Sequence, residues 1–447
     1  MAVRPEVAVS GVRSRGRGMA GEVRRGRAVR WWVWAVPAIV LVLVASCGVG
    51  TYFMVKPGEW HTAATARYPD AVASPRSGVV AALRAAPLIV ERRLRVFATE
   101  HDVWAEPLTA ADGHPPFWSY HRFPADVTGV VAIPAHGANA PMVVVKWSDG
   151  ALAGVDGRTG TITWRATVER DIGGDSYSGG PTGVATVYGD SLIELFATET
   201  RQHAPVLVSS GEHSLDAFEP ATGRRLWQVD LPGCSGVNWT GPTVVAVVLA
   251  CDRPKQVQLY DAESGRELTT WQPTAGSPAA NRSWIVEPSG CVVAQSMCDG
   301  FHVSNDGGSW RIHQDGSITA VWPHDWIAVD VGDLTLEYLS VRDTVRAVSR
   351  LDGSPVWQRS FAGTVSDVTA DRTSVYVVTD RDELSRLDQR TGQAQSHVQL
   401  PAGAHRSFHV YATDGYVVID RSNFDFTDRN AKWRLPRDAR PALLVAT

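Results

Sequence analysis

Residues 214–229 read SLDAFEPATGRRLWQV: an alternating apolar and polar run, a Thr-Gly, then a second run that carries a tryptophan. A strand, a turn that needs glycine at positive φ, and a second strand with a large aromatic make a hairpin pattern. A single hairpin is marginally stable in water, so the pattern has meaning only if it repeats.

It does repeat. The same phrase stands at 152–168 (LAGVDGRTGTITWRATV), 257–273 (VQLYDAESGRELTTWQP), 348–361 (VSRLDGSPVWQRSF) and 384–400 (LSRLDQRTGQAQSHVQL), with weaker copies at 107–122 and 301–313. Its turn glycines, Gly113, Gly160, Gly223, Gly265, Gly307, Gly353 and Gly392, recur at a mean spacing of about 46 residues, which is the period of propeller blades. Ahead of the hairpins lie β-rich apolar runs, among them PMVVVKW (141–147), TVVAVVLA (243–250), CVVAQS (291–296) and SVYVVT (374–379). Such runs suit strands covered on both faces, and the alternating strands that follow suit the outer part of a blade.

Each copy therefore reads as a four-stranded antiparallel sheet, and sheets that cannot bury two faces alone must stack in a ring. The expected fold is all-β, a propeller of seven blades with eight as the alternative, closed by pairing strands near 408–420 and 441–446 with N-terminal strands near 88–98. Trp118, Trp164, Trp227, Trp271, Trp310 and Trp357 stand three to six residues after their glycines. They are expected to dock each outer strand on the next blade, with the indole N–H reaching a backbone carbonyl. The last copy has Gln395 and Ser396 there instead.

The phrase D-x-x-T-G-x-x-x-W, carried best by Asp156, Gly160 and Trp164, by Pro220–Gly223 with Trp227, and by Asp388–Gly392, resembles the repeat of the PQQ-binding-like (quinoprotein-type) β-propellers. The resemblance covers roughly residues 90–420. It implies the fold, and it leaves function open because that family includes both enzymes and binding scaffolds. Its quinone-dependent dehydrogenases place a vicinal Cys-Cys disulfide against the cofactor and hold calcium with carboxylates. No two cysteines are adjacent here and no C-x-x-C-H is present. No bound cofactor and no catalytic or metal-binding residue is expected, and the reading is non-enzymatic.

Other chemistry leaves weak traces. SNDGGSW (304–310) approaches the Asp-box of sialidases but is one residue short, and such boxes are turn motifs. G-x-S-x-G, P-loop and H-E-x-x-H motifs are absent. His121, His136, His302 and His324 are scattered singly, and the carboxylates of 149–156 do not follow an EF-hand loop.

The chain has 447 residues, 44% of them apolar, with a net charge of −4, so no global basic field recruits nucleic acid. Locally the charge is uneven: residues 1–30 carry eight arginines against Glu6 and Glu22. Residues 31–55, WWVWAVPAIVLVLVASCGVGTYFMV, contain no charge and are long enough to cross about 30 Å of hydrocarbon. The arginine excess predicts a cytoplasmic tail (1–30), a single transmembrane anchor (31–55), a linker (56–87) with a short helix near 79–85, and an extracytoplasmic propeller (88–447). An alternative remains open: 44–47, VASC, resembles a lipobox, which makes Cys47 a candidate lipidation site of a membrane-attached lipoprotein.

Outside the membrane the expected role is a protein-binding or scaffold module with a partner in the cell envelope. The rival role is a small-ligand sensor or quinone-dependent enzyme that uses the central funnel. In that oxidising compartment Cys234, Cys251, Cys291 and Cys298 form an even set, and neighbour pairing, 234 with 251 and 291 with 298, is the simplest of three connectivities. Thiol labelling of the native chain should leave these four cysteines unmodified until reductant is added. Labelling of all four without reductant would refute the pairing.

Overall fold

The computed structural model describes residues 58–420 and 442–447, apart from 73–76, 84–85, 100, 112, 138, 171–194, 212, 234, 250–255, 273–284, 290–295, 299, 306–307, 314–317, 321–326, 339–341, 372, 403–408 and 414. The chain divides into two compact units, Met1–Lys56 and Pro57–Thr447, and the second is the one described. The expected anchor, basic tail and Cys47 lie outside the described residues. Among those described, no helix is long and apolar enough to cross a membrane.

The described strands form eight antiparallel sheets, each ordered along the chain from its first strand outward. Sheet 1 holds Leu88–Val90, Leu94–Ala98, Asp102–Pro107 and Trp118–Phe123, with Gly58–Thr62 added as a fifth, outermost strand. Sheet 2 runs from Val127–Ile133 to Ile162–Thr167, sheet 3 from Leu195–Glu199 to Arg225–Asp230, and sheet 4 from Ser235–Thr240 to Glu267–Trp271. Sheet 5 runs from Ile285–Ser289 to Ile318–Ala320, sheet 6 from Ile327–Val331 to Pro355–Ser360, and sheet 7 from Val365–Ala370 to Ala394–Gln399. Sheet 8 combines His409–Thr413, Tyr416–Asp420 and Ala442–Ala446 with the N-terminal Gly78–Leu83. First strands of successive sheets lie side by side, which places them at the hub of a β-propeller.

Burial follows position in the blade. Second strands such as Met142–Trp147, Val244–Leu249 and Ser374–Thr379 are buried at every residue, as apolar runs covered on both faces must be. The outermost strands Ile162–Thr167, Arg225–Asp230 and Pro355–Ser360 each bury one residue, the third, and that residue is Trp164, Trp227 or Trp357.

Each of these rings crosses to the next sheet. Trp118 Nε1 donates to Gly157 O (3.1 Å), Trp164 to Pro220 O (2.7 Å), Trp227 to Ala262 O (2.9 Å) and Trp357 to Gln389 O (2.8 Å). The accepting carbonyl is always three residues before the turn glycine. Those glycines have φ between +65° and +69°, a region costly for side chains. They also lie under the rings: a Cβ on Gly160, Gly223, Gly265 or Gly392 would come within 2.3 to 2.7 Å of Trp118, Trp164, Trp227 or Trp357 respectively. Glycine is required twice over, by the turn and by the aromatic that covers it.

The other four junctions show further contacts among the described residues. At sheets 4 and 5, Trp271 and Trp310 pack with Trp239, Cys298, Val303 and Ile312. Trp310, expected on an outer strand, lies in Gly308–His313, the third strand of its sheet, because the turn after Asn305 joins the second and third strands. Among the described residues nothing lies within 4 Å of a Cβ placed on Gly353. Sheets 5 and 6 share the buried Arg311, whose Nη1 donates to Thr335 Oγ1 (2.6 Å). Sheets 7 and 8 share the bond from Arg386 Nη1 to Thr447 O (3.2 Å), and sheets 8 and 1 the buried bond from Tyr411 Oη to Pro87 O (2.6 Å).

Three expectations need correction. The ring closes through Gly78–Leu83 rather than through the strands of 88–98, which belong to sheet 1. The helix expected at 79–85 is that same strand: pairing with Ala442–Ala446 overrides the helical preference of its alanines. The described residues of the stretch expected as a linker carry a strand near each end, Gly58–Thr62 and Gly78–Leu83. The eight sheets among the described residues exceed the seven recurrences because sheet 8, made from both chain ends, has no Thr-Gly phrase.

Trp227→Ala should cost about 3–5 kcal/mol, as truncation of a buried aromatic does. Trp104, half-buried and stacked on Phe97, should cost less. Gly265→Ala should also destabilise, and adding Trp227→Ala to it should cost less than the two losses combined, since the clash goes with the ring. Thermal melting of the purified variants decides this, and simple additivity would refute the contact.

Candidate functional site

Buried charge is a first guide to function, and between sheets 2 and 3 it serves the junction. Lys146, fully buried, donates from Nζ to Ser210 O (2.7 Å) on the neighbouring sheet. Asp216, also buried, accepts from Ser214 Oγ (3.2 Å) and faces Arg225 Nε at 3.1 Å, close enough for an ion pair though not aligned as a hydrogen bond. Burial raises the Asp216 pKa against the pull of Arg225, Ser214 and Lys146. Beside it, Glu169 accepts from the His213 backbone N–H, contacts the His213 ring (2.8 Å each) and accepts from Ser214 Oγ. The Ser214 hydroxyl lies 3.2 Å from both carboxylates, and its single proton is shared between them.

At the hub, Asp367 stands in the first strand of sheet 7, at a bulge against Val378. Its Oδ1 accepts from Val368 N (2.7 Å) and Tyr338 Oη (3.4 Å), the latter from sheet 6. A fraction of the residue meets solvent, but its carboxyl is enclosed, and burial pushes its pKa up to about 7 despite these donors. Sequence reading passed over Asp367. A carboxylate in the first strand of a blade, VSDVTA, was the available signal.

The N-terminal segment makes the third cluster. Gly58–Thr62 pairs antiparallel with Trp118–Phe123, setting Trp60 opposite His121. Their rings are 5.1 Å apart, and His121 Nδ1 lies 2.7 Å from Asp102 Oδ1. Trp60 is nevertheless 61% exposed. On the opposite face Glu59 receives Arg122 (2.7 Å) and Arg165 (2.6 Å), the latter from the outermost strand of sheet 2. Burial alone would raise the Glu59 pKa, but the hydrogen bond and charge of Arg165, with Arg122, hold it below the ordinary value. Farther on, Ala64 N donates to Thr159 O (2.7 Å), Tyr68 Oη to Glu91 Oε2 (3.1 Å) and Val72 N to Arg92 O (3.1 Å). Residues 58–72 form a strap across sheets 1 and 2.

The remaining sequence candidates have these placements. His136 is exposed and His121 is held by Asp102, while the side chain of His302 and all of His324 lie outside the described residues. Asp149 accepts from Arg122 Nε (3.0 Å) and Nη2 (2.6 Å), and Asp156 Oδ1 caps its own turn through Arg158 N and Thr159 N. Among the described residues no group of three or more His, Cys, Asp or Glu is placed to hold a metal. Cys298 is buried and disulfide-bonded. Cys234, Cys251 and Cys291 lie outside the described residues, so their pairing stands as a proposal.

Comparison with known proteins gives one family. Residues 211–332 and 339–447, just over half of the chain, match the family described as outer membrane protein assembly factor BamB. No curated protein matches. Similar solved structures include BamB from Moraxella catarrhalis (14% identity, 83% of this chain and 98% of that one, TM-score 0.42). They also include the computationally designed Ika8 protein (12% identity, 83% and 99%, TM-score 0.46) and the C-terminal WD40 domain of Sif2 (9% identity, 83% and 99%, TM-score 0.43).

The Asp367 carboxyl gives a pH signature. Its folded pKa, about 7, lies above the unfolded value of 3.8, so the folded state holds the proton more tightly between the two. Stability from this residue is therefore full in the acid range and falls as pH rises toward 7. Asp367→Asn, neutral throughout, should melt above the native chain once pH exceeds about 7 and converge with it in the acid range. Parallel curves of melting midpoint against pH would refute the assignment.

Proposed function

Because this chain belongs to the family of outer membrane protein assembly factor BamB, we propose that it is a non-catalytic propeller scaffold, tethered on the outer side of a membrane, that binds another envelope protein. The name of the family supports an assembly role, and the tether rests on the run 31–55 and the arginine excess before it. Cys47 offers the lipid-anchored form of the same attachment.

One observation carries the binding reading: Leu351 is 95% exposed at the tip of the sheet 6 turn. Two residues before the turn glycine, the clamped turns hold Arg158, Ala221, Glu263 and Arg390. Sheet 6 alone in this series puts a large apolar side chain into water, with Val356, 45% exposed, close behind it in sequence. Among the described residues nothing lies within 4 Å of a Cβ on its turn glycine, Gly353. Leu351 and Val356 together leave apolar area in water that a partner protein would cover, and covering it favours association.

A photo-crosslinking residue at position 351, in the full chain in its native membrane, should trap a discrete envelope protein. Leu351→Asp should abolish co-purification of that protein without lowering the melting midpoint. Asp367, enclosed at the hub, is what favours the rival ligand-binding reading, and saturable binding of PQQ that Asp367→Asn removes would establish the rival instead.

A further inference from the structure

We propose that the outer edge of sheet 1, the strand Gly58–Thr62, rests on the membrane surface with Trp60 seated among the lipid headgroups. This goes beyond the scaffold reading but rests on its tether. Only Lys56 and Pro57 separate the apolar run, which ends at Val55, from the strand. From Val55 to Trp60 the chain has a contour of at most about 17 Å when fully extended. Nor does slack exist downstream: the ladder to Trp118–Phe123, the Glu59 ion pairs and the bonds from Ala64, Tyr68 and Val72 fix the strap to sheets 1 and 2.

The side chains fit that surface. Tryptophan is the residue that favours the headgroup level, apolar in its ring and polar at its N–H. Of the six exposed large apolar side chains among the described residues, Trp60, Val79 and Val80 fall on the two strands nearest the apolar run in sequence. The one carboxylate of Gly58–Thr62, Glu59, is neutralised by two arginines and so does not repel lipid phosphates. Depth is limited by the backbone: the outer edge of this strand pairs with no other strand of its sheet, and hydrocarbon would leave those polar groups unsatisfied. Headgroups and their water would not. The edge therefore lies on the interface and does not insert.

The test uses the full chain in phosphatidylcholine nanodiscs that contain a shallow doxyl-labelled lipid. A fluorescent noncanonical residue replaces Trp60 in one variant, Thr62 on the same strand in a second, and Leu351 in sheet 6 in a third. Loss of emission at 60 and 62, with emission at 351 unchanged, is the expected result. Undiminished emission at both 60 and 62 in disc-bound protein would overturn the proposal, return the edge to pairing with a partner strand, and leave the tether standing. Equal quenching at 351 would overturn it too, since the molecule would then have no fixed face. A chain that elutes apart from the discs would overturn the tether and the seated edge together.

Discussion

An indole N–H that meets a carbonyl three residues ahead of a turn glycine, with its ring over that glycine, organises this molecule. The contact joins three requirements of a propeller in one place. The outer strand must be anchored, its neighbour's third hairpin must be held in register, and apolar area must be buried far from the hub, where blades diverge. Trp164, Trp227 and Trp357 are the one buried residue of otherwise exposed outermost strands. Without them those strands would be half-exposed edges, open to wrong pairing.

Other junctions of the ring carry polar bonds of a different kind. Arg311 and Thr335 join sheets 5 and 6, Arg386 and Thr447 join sheets 7 and 8, and Tyr411 and Pro87 join sheets 8 and 1. Apolar packing accompanies these bonds: Val378, Leu384 and Val398 pack with Ala412, Val417 and Leu443 between sheets 7 and 8, and Leu88 and Val96 share a core with Tyr411 and Val418 between sheets 8 and 1. The junctions therefore differ in their chemistry. In stacked repeats, opening starts at the weakest nearest-neighbour interface. The closing junction receives further support because the strap ties sheet 8 to sheet 1 through the covalent chain between Gly78–Leu83 and Gly58–Thr62.

The parts legible in sequence are those whose chemistry is local. A glycine at positive φ, the aspartate that caps its turn and the tryptophan a few residues later all sit within one phrase, so the blades and their outer strands could be read directly. Residues 78–83, GVVAAL, could not be: their partner Ala442–Ala446 lies at the other end of the chain, and alanine favours the wrong local structure. Trp310 has the right residue type beside glycines but belongs to a different turn of its sheet. Asp367 and Lys146 carry no motif at all, because what makes them unusual is their burial. Glu59 and Trp60 lay in a stretch rich in alanine and proline that reads as a linker, and only the ladder to sheet 1 reveals their surroundings.

That ladder changes what the N-terminal segment does mechanically. A flexible linker would let a tethered domain sample all orientations, and a partner would meet any face at the same rate. Strand pairing removes that freedom. Gly58 is held opposite Phe123 and Thr62 opposite Ser119, so a pull on the chain from residue 57 is borne by the hydrogen bonds of a sheet edge and by the Glu59 ion pairs that span two blades. The strand Gly58–Thr62 is fixed on sheet 1, while the exposed Leu351 belongs to sheet 6. On the function proposed above, a molecule attached at one blade and bound to a partner at another would hold that partner at a defined distance from the point of attachment, which is the property a scaffold needs and a soluble binding protein does not.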